Sequence, residues 1–145
     1  MTEREVLRLA RANINAFSQG DQKKFANGLA LNSVYDEVAT QRKVTGRDAV
    51  VKASFAWRGA FPDAKGTITR AFAKGNQAVL EITWQGTHRG TLEGPGGAIP
   101  ATGKKVNVRA TQVITAARGR VKEVRHYFDM MTLVQQLGVA PGGKR

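Results

Sequence analysis

The sequence predicts a single α+β domain, in which helices lead and a run of antiparallel strands follows. Three observations carry that prediction. Helical spacing of apolar residues dominates the first sixty positions, alternation with period two begins near Lys65, and turn chemistry cuts the second half into strand-length pieces.

Thr2-Glu3-Arg4-Glu5 has the spacing of a capping box, so a helix is expected to start there. Val6, Leu7, Leu9, Ala10, Ile14 and Phe17 continue it, and Gly20 stops it. Asp21 can cap a second helix with Phe25, Ala26 and Leu29 on its buried side. Residues 32–39 suit a short strand. A third helix is predicted over 46–61, ending at Phe61-Pro62 because a residue before proline avoids helical angles. Strands are expected over 67–72, 78–90, 106–116 and 121–129, with turns at 74–77 and 117–120. The glycine- and proline-rich stretch 94–103 is predicted to be a long irregular loop. A short closing helix over 130–137 ends at Gly138, so the domain is expected to span 1–138 and a disordered tail 139–145. A curved sheet wrapped over three helices encloses a pocket suited to a small molecule.

Composition narrows the function. The chain has 145 residues, 41% hydrophobic and 23% charged, enough for a core that removes about two-thirds of the unfolded surface from water. It has no cysteine, which excludes disulfides, thiol nucleophiles and cysteine-bound metal centres. No apolar run approaches the ~20 residues that cross a bilayer, and a soluble cytoplasmic protein with no membrane partner is expected. Twenty-three Lys+Arg against 11 Asp+Glu give a formal net charge of +12. The basic residues are scattered in ones and twos, so no specific nucleic-acid site is expected; the field suits an acidic small molecule.

Four segments, taken together, resemble the SnoaL-like polyketide cyclase family. They are Ala60-Phe61-Pro62-Asp63, Gly86-Thr87-His88-Arg89-Gly90, Pro100-Ala101-Thr102-Gly103-Lys104, and Tyr127-Phe128-Asp129 followed by Leu133-Val134-Gln135-Gln136-Leu137-Gly138. The resemblance spans roughly residues 3–138. The family shares its fold with nuclear transport factor two and ketosteroid isomerase. It implies a cone of three helices against a strongly bent antiparallel sheet, a deep pocket, and a homo-oligomer (dimer or tetramer) built through the sheet. It also implies acid–base chemistry without metal or organic cofactor, such as intramolecular aldol closure of an enolisable carbonyl compound. A non-catalytic small-molecule-binding or oligomerisation module of the same fold is the alternative.

The resemblance places the acid–base carboxylate at Asp129, which reads equally well as the N-cap of the closing helix. His88 shares strand parity with Trp84 and Ile82, which points it at the pocket as a second catalytic group or at a satisfied place in the core. Gln112 lies on the apolar side of its strand and is the expected polar group of the pocket. Arg125 and Tyr127 share the parity of Asp129 and are expected to bind substrate, as are the aromatic residues Trp84, Trp57 and Phe61.

Overall fold

The computed structural model describes residues 1–94 and 96–139. In chain order the elements are α1 (Glu3–Ser18), α2 (Gln22–Asn27), β1 (Leu29–Glu37), a 3-10 turn (Val38–Thr40), β2 (Arg42–Thr45) and α3 (Arg47–Ala60). They are followed by β3 (Lys65–Lys74), β4 (Gln77–Thr87), β5 (Leu92–Gly94), β6 (Gly97–Ile99), β7 (Lys105–Ala117), β8 (Arg120–Phe128) and α4 (Met130–Leu137). The helices pack on a large curved six-stranded sheet of order β2-β1-β8-β7-β4-β3.

The first two helix starts have the expected chemical cause, whereas Gly46 before α3 offers no side-chain cap. Thr2 and Glu5 form the reciprocal capping box, and Asp21 caps α2 through the Lys24 amide. The α2 helix is shorter than expected. It ends at Asn27, and Leu29 opens β1 instead of extending the helix face. The carbonyls orphaned at the end of α1 are met from another element: the Arg58 guanidinium donates to Phe17 O and Ser18 O, and also to Ala64 O and Pro62 O. One cation thereby ties α1 to α3 and to the entry of β3.

The sheet is mixed, because β1 lies parallel to β8 while its other neighbour β2 is antiparallel. The hairpin of β1 and β2 falls between α2 and α3 in sequence, so the chain does not run helices first and strands second. Short hairpin turns set the register of the long strands. Gly75 has φ 60 at the first turn position between β3 and β4, while Arg118 and Gly119 have φ 54 and 79 between β7 and β8, the paired positive angles of a type I′ turn. Residues 94–103 are not wholly irregular, since β5 and β6 form a small hairpin of their own. Of the expected tail, Val139 is buried against the domain, and residues 140–145 lie outside the described residues.

Bulges decide which residues face inward. Opposite β7, the pairs Thr115–Glu123 and Ala116–Val121 leave Lys122 as an extra residue in β8. Inward parity therefore passes from Val121 to Val124, His126 and Phe128, and Arg125 and Tyr127 turn outward.

Three of the four family-like segments lock together at one end of the sheet. Asp63 accepts both the amide and the hydroxyl of Thr87, and Ala60 O accepts the amides of Arg89 and Gly90. His88 and Thr102 are joined through Nδ1, while the backbone of His88 pairs with Gly103 and Lys104. The closeness of this junction requires glycine at position 90, where an added Cβ would collide with Gly59 O. A Cβ at Gly59 itself meets nothing within 4 Å, and that residue lies inside α3. Gly90→Ala is expected to destabilise the fold by about 1–3 kcal/mol. Gly59→Ala should stabilise it by about 0.5–1 kcal/mol through helix propensity. Urea unfolding of the two variants separates these opposite signs.

Candidate active-site cavity

Between the helices and the concave face of the sheet lies a cavity of about 110 Å³. Its wall is mostly aromatic and aliphatic. Phe17 meets Phe25 and Trp84, and Trp57 meets Phe61 and Phe128, with ring centroids 5.3–6.4 Å apart. Such a surface suits a flat, largely apolar molecule.

One polar device is set into this wall. The Trp84 indole can only donate, and its Nε1–H lies 3.1 Å from His126 Nε2, which must therefore accept. His126 Nδ1 then carries the ring proton and donates to Tyr35 Oη at 2.9 Å. Tyr35 in turn donates to Glu37 Oε2 at 2.8 Å. The hydrogen bonds all run one way, from Trp84 through His126 and Tyr35 to Glu37.

Glu37 is only 1% exposed, yet it has partners on both oxygens. Trp57 Nε1 donates to Oε2 at 2.9 Å, Arg42 forms an ion pair at 3.1 Å, and the Thr40 hydroxyl donates to Oε1. Burial pushes its carboxyl up, but the hydrogen bonds from Thr40, Trp57 and Tyr35, helped by the Arg42 charge, bring it below its ordinary value. The site thus holds an ionised carboxylate behind a neutral histidine. Burial drives the His126 imidazole down to about 4 against the opposing pull of the Glu37 charge. Burial, then the adjacent carboxylate, raises the Tyr35 phenol well above its usual range.

The residues singled out from sequence divide into two groups. Gln112, Trp84, Trp57 and Phe61 line the cavity. Asp129, His88, Arg125 and Tyr127 do not. Asp129 is exposed and caps α4, accepting the amides of Met131 and Thr132 and the Thr132 hydroxyl. Those bonds, the Thr132 hydroxyl first, hold its carboxyl below the ordinary value, the opposite of a carboxyl raised by a dry pocket. His88 is fully buried, but it lies outside the cavity lining, stacked on Phe61 with centroids 5.2 Å apart and engaged by Thr102. Its pKa is lowered by burial, against a smaller upward pull from the Gly90 backbone. Arg125 pairs with Glu123, and Tyr127 is 42% exposed. The physical reason for both is the extra residue in β8, which reverses the parity on which their inward placement depended.

Tyr35, Glu37, His126 and Asn13 are the polar groups that sequence reasoning missed. Ser33, Tyr35 and Glu37 do alternate in β1 as a buried set, but their polarity hid that face behind the equally mixed Val34 and Asp36.

A curved six-stranded sheet, four helices and a largely apolar cavity with a buried polar relay in its wall define an α+β fold with an interior pocket. The sequence matches the SnoaL-like polyketide cyclase family over residues 7–137, and the chain belongs to that family. Solved structures agree on the fold. AclR of Streptomyces galilaeus, a candidate hydroxylase, is 23% identical with a TM-score of 0.81, covering 97% of this chain and 85% of its own. A candidate SnoaL-like polyketide cyclase of Jannaschia sp. is 16% identical with a TM-score of 0.85, covering 96% and 95%. TsrD of Streptomyces laurentii is 22% identical with a TM-score of 0.79, covering 95% and 98%. No protein of curated function matches the sequence. Among the described residues, no helix is long and apolar enough to cross a membrane.

The neutral state of His126 has a consequence for stability. The folded protein keeps this ring unprotonated down to about pH 4, whereas an unfolded chain protonates it near 6.5. The unfolded state therefore binds more protons between those values, and stability falls as the pH drops through that window. Between pH 7 and 4 the wild type is expected to lose about 3 kcal/mol more than His126→Gln. Urea unfolding at the two pH values measures the difference; equal losses would rule out the neutral buried histidine.

Proposed function

We propose that this protein is a cofactor-independent acid–base enzyme of the cyclase type, acting on an enolisable aromatic or hydrophobic carbonyl compound, with His126 as its proton-handling group. One observation carries the reading: the directed relay from Trp84 to Glu37 is set in the wall of an otherwise apolar cavity. In the structure the Nε2 lone pair is occupied by the Trp84 N–H. When a substrate carbonyl accepts that N–H instead, the carbonyl is polarised and Nε2 is freed in the same movement. Nε2 then takes the proton α to the carbonyl as the C–H bond breaks. The enolate carbon attacks a second carbonyl of the same molecule, and the new alkoxide recovers the proton from Nε2. Substrate and product differ only in connectivity. The transient imidazolium is offset by the Glu37 charge, with Tyr35 fixing the ring through Nδ1.

The second reading, a non-catalytic binding module, is favoured by the low pKa that burial gives His126, which makes it a weak base. Deuterium exchange at the α carbon of phenylacetone in heavy water, followed by NMR, separates the two. The wild type should exceed the buffer background, and His126→Gln should lose roughly 10²–10⁴-fold. Asp129→Asn keeps the helix cap and should exchange like the wild type, whereas its selective loss would return the base to Asp129. No exchange by the wild type would favour the binding module.

A further inference from the structure

Of the polar side chains that line the cavity, Asn13, Ser54, Gln85 and Gln112 take no part in the relay, and two of them carry unpartnered buried atoms. Asn13 of α1 is 8% exposed and Gln112 of β7 is 5% exposed, yet Asn13 Nδ2 and Gln112 Oε1 have no hydrogen-bond partner. Both line the cavity. The donors of Trp84, His126, Tyr35 and Trp57 are already engaged within the relay or on Glu37. A buried amide left open in this way disfavours a purely apolar ligand, which would seal it off from water without replacing the bond. The two amides come from opposite layers, one from the helices and one from the sheet, and Gln112 is the direct cross-strand neighbour of His126.

We infer that Gln112 and Asn13 are specificity determinants that select a ligand bearing both a hydrogen-bond donor and an acceptor, namely a phenolic or enolic ketone. Gln112 Oε1 accepts from the ligand hydroxyl beside His126, and Asn13 Nδ2 donates to a ligand oxygen on the helix side. A cavity of about 110 Å³ is of the order that encloses one aromatic ring, with the rest of a larger ligand reaching outward. The inference rests on the reading of this cavity as a site for carbonyl compounds, but it does not require turnover.

Calorimetric titration with four single-ring probes tests it: ethylbenzene, 4-ethylphenol, acetophenone and 4-hydroxyacetophenone. In the wild type the hydroxyl and the carbonyl should each tighten binding about tenfold, making 4-hydroxyacetophenone the best ligand. Gln112→Leu should abolish the gain from the hydroxyl alone, and Asn13→Leu the gain from the carbonyl alone. Affinities within twofold across the wild-type series would overturn the inference without any variant having to fold, as would failure of every probe to bind. Selectivity without α-proton exchange would leave the inference standing and remove the catalytic reading; exchange without selectivity would do the reverse.

Discussion

The buried Glu37 carboxylate is the constraint on which the pocket depends. An ionised carboxylate removed from water costs several kcal/mol unless its lone pairs are met by good donors. Here the donors come from different parts of the chain: Tyr35 in β1, Thr40 in the 3-10 turn, Arg42 in β2 and Trp57 in α3. Satisfying one charge therefore fixes four elements relative to one another. Through Tyr35 the constraint reaches His126 in β8, and from there Trp84 in β4. The aromatic walls of the cavity are placed by the same bonds that keep the carboxylate solvated.

This arrangement separates two jobs that a sequence pattern runs together. The segments around Asp63, Thr87 to Gly90 and Thr102 to Lys104 look like chemistry because they combine histidine, aspartate and glycine. In the fold they close one end of the sheet: Asp63 is spent on Thr87 and His88 Nδ1 on Thr102, while His88 Nε2 is left without a partner among the described residues. His88 reaches the cavity only as the support behind Phe61. The junction meets the cavity through Phe61 and Gly86, and its polar side chains stay outside the lining.

Electrostatics sharpens the division. Asp129 and Glu37 are both carboxylates held ionised by hydrogen bonds, but the first is capped at the surface and the second buried beside the cavity. Burial, not residue type, distinguishes them. Likewise the two histidines have different surroundings: His88 is clasped by a loop, and His126 lines the cavity between Trp84 and Tyr35.

The sequence by itself determined the local elements. The Thr2–Glu5 box, the Asp21 cap, the stop at Phe61-Pro62 and the turns at Gly75 and Gly119 are short-range effects, written in a few neighbouring residues. It also indicated the inward Gln112, Trp84, Trp57 and Phe61, whose parity or helical spacing is undisturbed. Only the tertiary structure decided the rest. The parallel pairing of β1 with β8 joins residues some ninety positions apart, and no local pattern specifies it. The single extra residue at Lys122 reverses the facing of everything after it, bringing His126 inward and sending Arg125 and Tyr127 outward. A strand's side-chain alternation is strict, so one bulge changes which residues make the site while leaving the predicted strand intact.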